Sequence, residues 1–226
     1  MGEPGEIVDR FIGMAGQDED ADDESARRAA GFIGIKRPAH PPGVRDGGTV
    51  SVSGDATFNM YGGTLHGRSA KSGGAVYVQS GTFNMYGGIM ENNIVATEYT
   101  VVKNEDGTES SVENGGCGGA LYSRGNVNMY GGIIRGNEAL RGGGIYNDKI
   151  MYLYAGTVAD NLSHSYGGAV SSSSSSNADL HIGSAGKGDT MLFSGNHAIR
   201  AGGALYSNTS SPIMIYGNAE FKNNHS

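Results

Sequence analysis

The stretch GGALYSRGNVNMYGGIIRGNEALR, residues 118–141, divides into three strand-sized pieces separated by glycine or asparagine. Similar text recurs along the chain, and each copy opens on a Gly-Gly pair. The pairs begin at Gly47, Gly73, Gly118, Gly142, Gly167 and Gly202. Their spacings of 26, 45, 24, 25 and 35 residues indicate a repeat of about 25 residues in which two copies carry inserts.

The middle piece of each copy alternates between apolar residues and residues that must point the other way. The apolar pairs are Phe58 and Met60, Phe83 and Met85, Val127 and Met129, Met151 and Leu153, Leu180 and Ile182, and Ile213 and Ile215. A period of two is typical of a β-strand with one buried face. The first piece adds a second apolar column: Val76, Leu121, Ile145, Val170 and Leu205.

The third piece follows the pattern apolar-x-x-Asn in five of six copies. The asparagines are Asn93, Asn137, Asn161, Asn196 and Asn224. Asparagine tolerates a left-handed backbone and can bond neighbouring main chain, so stacked copies predict an amide ladder at one corner. Its expected role is structural.

Three strands in about 25 residues predict an all-β fold, a right-handed parallel β-helix of about six three-strand rungs. Two other repeat folds are minor alternatives. Leucine-rich repeats need several leucines per copy, whereas the whole chain has eight, and left-handed hexapeptide helices count in sixes. Most of the 40 glycines are then corner residues of the repeat.

Residues 1–46 are predicted to form an N-terminal cap and tether, and residues 47–226 the repeat domain. The cap, residues 1–38, would contain short helices at 6–14 and after Asp22, Asp23 and Glu24, with Phe32 and Ile33 nearby. It would cover the open end of the β-helix. A proline-rich tether, residues 38–42, would follow it.

Two inserts interrupt the repeat, near 97–114 and 171–188. The first predicts a projecting hairpin with its turn at Asn104-Glu105-Asp106-Gly107. The second holds a serine run, Ser171 to Ser176, and a glycine-rich stretch from Gly183, and predicts a loop. Loops vary without disturbing a stacked core, so the hairpin is one candidate binding element.

Outward tyrosines form two predicted columns. One column follows the middle strand: Tyr61, Tyr86, Tyr130, Tyr154 and Tyr216. The other lies in the first strand: Tyr77, Tyr122, Tyr146 and Tyr206. Stacked phenols stabilise a ladder, and they also offer flat apolar area with a polar tip to a glycan or a protein partner.

Catalytic and metal-binding patterns are weak. Polysaccharide-cleaving β-helices need clustered carboxylates, and the matched outward columns of the first two strands contain none. Glu91 and Arg135 predict an ion pair between rungs. His197 and His225 share a column without a third ligand, and Cys117 is the only cysteine. We expect no catalytic residue, no metal and no cofactor.

Charge and hydropathy argue against a nucleic-acid partner and against a membrane-spanning helix. The net charge is −7, and the scattered Lys and Arg side chains do not predict a nucleic-acid surface. No apolar run approaches the ~20 residues of a membrane helix. The start MGEPGEIVDRF lacks the features of a secretory signal, so the sequence favours an excised piece of an exported protein that continues beyond Ser226.

The segments GGAVYV, GGALYS, GGGIYN and GGAVSS, together with FSGN and FKNN, resemble the repeats of chlamydial polymorphic outer-membrane proteins. They are also similar to glycine-rich adhesin-like repeats of gut bacteria and methanogens. The resemblance covers residues 47–226 and implies a cell-surface or secreted β-helix used for adhesion or as a stalk, with no catalytic residues to transfer.

These expectations leave three functions open. The first is a non-catalytic structural or adhesive β-helix that binds a glycan or a surface protein. The second is a polysaccharide lyase or hydrolase. The third is a subunit that associates end to end through its last rung.

Overall fold

The computed structural model describes residues 33–35, 48–66, 71–95, 97–104, 108–172, 178–184, 190–208 and 212–226. Within these ranges the chain winds into six coils of parallel strands, and no helix occurs in them. The architecture is the predicted right-handed parallel β-helix. No helix of the described residues has the length and apolar character to cross a membrane.

Three long sheets run along the coil axis. Sheet A contains β1 (Ile33–Ile35), β2 (Val50–Val52), β5 (Val76–Val78), β10 (Leu121–Ser123), β14 (Ile145–Asn147), β18 (Val170–Ser172) and β22 (Leu205–Ser207). Sheet B contains β3 (Thr57–Met60), β6 (Thr82–Met85), β11 (Asn126–Met129), β15 (Met151–Leu153), β19 (Leu180–Ile182) and β23 (Ile213–Ile215). Sheet C contains β4 (Thr64–Leu65), β7 (Ile89–Glu91), β12 (Ile133–Arg135), β16 (Gly156–Ala159), β20 (Met191–Ser194) and β24 (Ala219–Lys222).

We number the coils one to six by the Gly-Gly pairs that open them, at Gly47, Gly73, Gly118, Gly142, Gly167 and Gly202. Coils three to five contain a fourth strand that the three-piece repeat did not predict. Sheet D consists of β13 (Glu138–Arg141), β17 (Leu162–Tyr166) and β21 (His197–Ala198). It forms because the residues after each corner asparagine continue in register. Asn137 O accepts from Leu162 N, and Asn161 O accepts from His197 N.

The core is one apolar stack inside the coils, to which the inward residues of sheets A, B and C contribute. The predicted inward residues of the middle strands are buried in coils two to five, and Met85, Met129 and Leu153 are each 1% exposed or less. In coil six the same position is open to solvent, and Ile215 is 53% exposed. Burial of this column supplies the main stabilisation of the stack.

The structure describes only a small part of the predicted N-terminal cap and tether, residues 1–46. Ile33–Ile35, placed at the end of a predicted helix, is a strand that pairs antiparallel with β2. This pairing satisfies backbone groups at the edge of sheet A, which a helix could not do. The remaining residues of the cap and the tether lie outside the described residues.

The predicted hairpin is present. β8 (Thr97–Lys103) pairs antiparallel with β9 (Glu109–Gly115), and within the described residues these strands pair only with each other. Residues 105–107 of its turn lie outside the described residues. The serine run begins differently from the prediction, since Ser171 and Ser172 belong to β18 and are buried. The register of sheet A extends through these two serines before the insert begins.

Candidate functional site

The outer face of sheet B carries a ladder of tyrosines. We call Tyr61, Tyr86, Tyr130 and Tyr154 the outer tyrosine ladder. Each of these tyrosines directly follows a sheet B strand. Neighbouring tyrosine rings stack with centroids 4.8, 4.9 and 5.1 Å apart and with planes within 14° of parallel. The spacing follows from the stacking of the coils, because equal positions of adjacent parallel strands are ~4.8 Å apart.

The stacking changes what the ladder can offer a ligand. Each inner ring has a neighbouring ring on both faces, so the ladder presents ring edges and hydroxyls. Tyr61, Tyr86 and Tyr130 are 42%, 43% and 42% exposed, respectively. The expectation of flat apolar area therefore applies at most to the ends of the ladder, and the face is a row of phenol hydroxyls.

An amide row lies beside the tyrosines, two residues earlier in each strand. Asn84 Nδ2 donates to Asn59 Oδ1, and Asn128 Nδ2 donates to Asn84 Oδ1, both at 2.8 Å. These side chains point away from the core, as the alternation of the strands predicts. In coils four and five the row continues as Tyr152 and His181, whose rings stack at 4.4 Å.

The second tyrosine column is buried at Tyr77 and Tyr122 and half-buried at Tyr146 and Tyr206. Tyr77 and Tyr122 are only 5% and 7% exposed, which contradicts their predicted availability. Arg124 Nε donates to the Tyr122 hydroxyl at 3.0 Å, and the Tyr166 ring stacks on Tyr206 at 4.3 Å.

Side chains from the fourth side of the coils contact Tyr146 and Tyr206 of this column. Arg141 in β13 hydrogen-bonds Tyr146, and Tyr166 belongs to β17. Burial is the main cause that raises the pKa of Tyr146, to about 12, and it also raises the pKa of Tyr122. In coil five Ser171 occupies the column position, so the tyrosines are interrupted there.

The corner asparagines form a buried ladder. Nδ2 of each donates to Oδ1 of the next, from Asn93 through Asn137, Asn161 and Asn196 to Asn224, at 2.8–2.9 Å. Each Nδ2 also donates to a carbonyl in the preceding coil, as Asn137 does to Met90 at 3.1 Å. The ladder lies inside the corner and contributes to stability.

The left-handed residue at this corner is the one before the asparagine. Positive φ angles occur at Asn92 (55°), Gly136 (61°), Asp160 (53°), Gly195 (63°) and Asn223 (54°). This corrects the expectation that the ladder asparagines themselves need that conformation. The preceding residue turns the chain so that the asparagine side chain points inward.

The predicted ion pair is present on sheet C. Arg135 donates to Glu91 Oε2 from Nε at 2.8 Å and from Nη2 at 2.7 Å. A second pair joins Glu138 and His164 at 2.6 Å. Sequence reasoning missed this second pair because it depends on the unpredicted sheet D.

Metal and thiol chemistry find little support in the described residues. His197 and His225 stack at 4.3 Å, and no group of three His, Cys, Asp or Glu side chains that could hold a metal occurs among the described residues. Burial raises the pKa of the Cys117 thiol to about 11, which keeps it protonated and a weak nucleophile at neutral pH.

The hairpin displays apolar side chains to solvent. Val101 and Val102 of β8 are 61% and 42% exposed. The hairpin leaves the coil after Val95 and returns at Gly116, whose N–H donates to the Lys71 carbonyl at 3.0 Å. It is thus an addition to the side of coil two.

Comparison with known proteins gives one match. A family model described as the Chlamydia polymorphic membrane protein repeat matches residues 190–208. This segment contains β20, the ladder residue Asn196 and β22 up to Ser207. No curated protein and no solved structure matches the chain. The match fits a β-helix repeat protein and hints at a surface protein family.

Proposed function

We propose that this chain is a non-catalytic β-helix displayed at a cell surface or secreted, and that it binds an extended glycan along the outer face of sheet B. The observation that carries the proposal is the pair of parallel rows on that face, phenol hydroxyls in coils one to four and side-chain amides in coils one to three. The repeat match and the adhesin-like resemblance support the surface location.

The amide row retains hydrogen-bonding capacity for a ligand. Each of Asn59, Asn84 and Asn128 has two N–H groups and two carbonyl lone pairs, and the row itself uses one of each at an inner position. These side chains are partly exposed on the same face of sheet B as the tyrosines. A glycan chain offers hydroxyls at regular intervals, so many weak contacts would add along the column.

The test is binding of the full chain to glycan and host-protein arrays. A triple variant, Tyr61→Phe, Tyr86→Phe and Tyr130→Phe, keeps the stacked rings and removes only the hydroxyls. We expect its glycan affinity to fall at least about tenfold, the effect of roughly 1.4 kcal/mol of lost hydrogen bonding. Tyr206→Phe, in the covered column, serves as the matched control. Retained binding in the triple variant, or no glycan bound by the parent chain, refutes the proposal.

The exposed Val101 and Val102 favour a second mode, in which the hairpin binds a surface protein. In this case the chain binds on the host-protein array, and the double variant Val101→Ser, Val102→Ser loses that binding. The triple phenylalanine variant then binds as the parent does. The parent chain, the triple phenylalanine variant and the double serine variant therefore distinguish the two binding modes.

Two further functions make distinct predictions. A polysaccharide-cleaving enzyme would lose its activity in Glu91→Gln, although Arg135 already pairs with this carboxylate. End-to-end association is favoured by Ile215 and Phe221, which are 53% and 40% exposed in the outermost strands of sheets B and C. It predicts concentration-dependent light scattering that Ile215→Lys removes.

A further inference from the structure

The outer tyrosine ladder brings phenol rings of consecutive coils into contact. Tyr86 lies between Tyr61 and Tyr130, with ring centroids at 4.8 and 4.9 Å and ring planes 7° and 9° from parallel. The three tyrosines are far apart in the sequence, and each contact joins one coil to the next. A covalent bond between two of these rings would therefore tie two coils together.

The outer edges of these rings are open to solvent. Tyr61, Tyr86 and Tyr130 are all exposed, so an oxidant in solution can reach their hydroxyls and the Cε atoms beside them. The first-strand column provides an internal contrast. Tyr77 and Tyr122 stack in the same manner, at 5.3 Å, but both rings are buried. The two columns therefore differ in access rather than in spacing.

Oxidised phenols couple through the ring carbons next to the hydroxyl, and the stacked rings can reach that geometry. The new bond lies in the plane of each ring, so both rings must turn about their Cβ–Cγ bonds until a Cε atom of each points at the other. This torsion is broad for tyrosine where nothing packs against the ring. The ring centres of the coupled product are separated by two ring radii and one C–C bond, which is close to the 4.8 Å between Tyr61 and Tyr86.

We propose that the outer tyrosine ladder is a site of oxidative cross-linking, at which hydrogen peroxide and a haem peroxidase join Tyr86 to Tyr61 or to Tyr130 of the same chain. Each of the two phenols loses one electron and one proton, and the two phenoxyl radicals form one Cε–Cε bond. The hydrogen on each bonded Cε then moves through water to the phenol oxygen of its own ring. One hydrogen peroxide takes up the two electrons and two protons and leaves as two waters. The proposal does not depend on glycan binding.

The test treats the full chain with hydrogen peroxide and a haem peroxidase, digests it with trypsin and analyses the peptides by mass spectrometry. Cleavage after lysine and arginine places Tyr61, Tyr86 and Tyr130 in three different peptides. A cross-link is then a pair of peptides whose joint mass is two hydrogens below the sum of the two. We expect Tyr86 to be joined to Tyr61 or Tyr130. No such pair, or an equal yield of Tyr77 joined to Tyr122, refutes the proposal.

Two controls show which rings react and whether they belong to one chain. Tyr86→Phe keeps the stack and removes the phenol, so it should lose both cross-links, whereas Tyr122→Phe in the buried column should keep them. An equal mixture of ¹⁵N-labelled and unlabelled chains should give pairs of two light or two heavy peptides. Mixed pairs in the statistical proportion would show coupling between chains and overturn the proposal.

The cross-link should also stabilise the stack of coils. It closes a loop in the unfolded chain, as a disulfide does, so the cross-linked parent should melt at least about 5 °C above the equally treated Tyr86→Phe variant. Equal melting temperatures would contradict a covalent tie between folded coils.

Discussion

The buried amide of Asn137 joins three coils at one corner. It accepts from the backbone N–H and Nδ2 of Asn93, and it donates to Met90 O and to Asn161 Oδ1. Replacement by alanine removes the partner of Asn93 N–H, Asn93 Nδ2 and Met90 O, whereas Asn161 Oδ1 keeps its bond from the backbone N–H of residue 137. We therefore expect Asn137→Ala to lower the free energy of unfolding by about 2–4 kcal/mol, measured by urea denaturation.

Asn128 provides the matched control, since its amide also bonds an asparagine of the preceding coil but lies on the outer face of sheet B. Water can replace the lost partner there, so Asn128→Ala should cost less than about 1 kcal/mol. Equal losses in the two variants would contradict a special role for the buried ladder.

Alkaline pH should destabilise the fold through groups that are buried in their neutral form. Burial raises the pKa of Cys117 from 9.0 to about 11 and that of Tyr146 from 10.0 to about 12. Above pH 9 the unfolded chain therefore loses the Cys117 proton first, and the free energy of unfolding falls as pH rises toward 11, by at most ~1.4 kcal/mol per pH unit for each group. Below pH 9 these groups contribute no pH dependence.

The check is a series of urea denaturations between pH 8 and 11. Cys117→Ala should move the onset of the loss from about pH 9 to about pH 10, where the tyrosines begin to titrate in the unfolded chain. An unchanged onset in this variant would mean that the thiol does not contribute.

Contacts between equal positions of adjacent coils were predictable at the residue scale. The Glu91 pair with Arg135 and the shared column of His197 and His225 need only the repeat register. The burial of Tyr77 and Tyr122 was not predictable, because alternation assigns a face and does not reveal what covers that face. Arg124, which donates to the Tyr122 hydroxyl at 3.0 Å, lies between β10 and β11, where the repeat pattern does not predict a covering side chain.

At the scale of elements, the hairpin is an addition that the coils do not need. Coil three shows the shorter path, since Glu138–Arg141 alone connects Asn137 to the next glycine pair. We expect a chain in which Glu-Ala-Leu-Arg replaces residues 94–117 to unfold within about 1 kcal/mol of the parent, because β8 and β9 pair only with each other within the described residues.

Thermal denaturation and the binding arrays examine this variant together. Unchanged stability with lost protein binding assigns binding to the hairpin, and unchanged stability with unchanged binding assigns the hairpin no part in it. A loss of several kcal/mol would show that the hairpin supports coil two.

The elements were predictable to different degrees for a physical reason. The strands of sheets A, B and C bury alternate apolar residues, which leaves a period of two in the sequence. The strand β17 reads Leu-Ser-His-Ser-Tyr, and its inward residues Ser163 and Ser165 are small and polar. The Ser163 hydroxyl lies 2.9 Å from the carbonyl oxygens of both Leu140 and Tyr166, and it can donate its one hydrogen to either. Hydropathy therefore carries no signal for β17, the longest strand of sheet D.

At the scale of the whole molecule, stability should depend on a coil's neighbours. Each coil contacts the coils before and after it, as in other repeat proteins, so a core residue is worth more where both neighbours are present. Leu153 and Ile215 occupy the same inward column of sheet B, and the strands of Leu153, Ile182 and Ile215 are in register. Leu153 is 0% exposed and Ile215 is 53% exposed.

This pair supports a direct comparison. Leu153→Ala removes methyl groups that are packed on all sides and should lower the free energy of unfolding by about 2–5 kcal/mol. Ile215→Ala removes atoms that are half in water and should cost less than about 1 kcal/mol. Hydrogen exchange should show the same gradient, with the amides of β11 and β15 exchanging more slowly than those of β23 and β24. Equal losses of unfolding free energy in the two variants, together with uniform amide exchange, would contradict a single dry core stabilised by stacking of the coils. The β-helix would then need another source of stability.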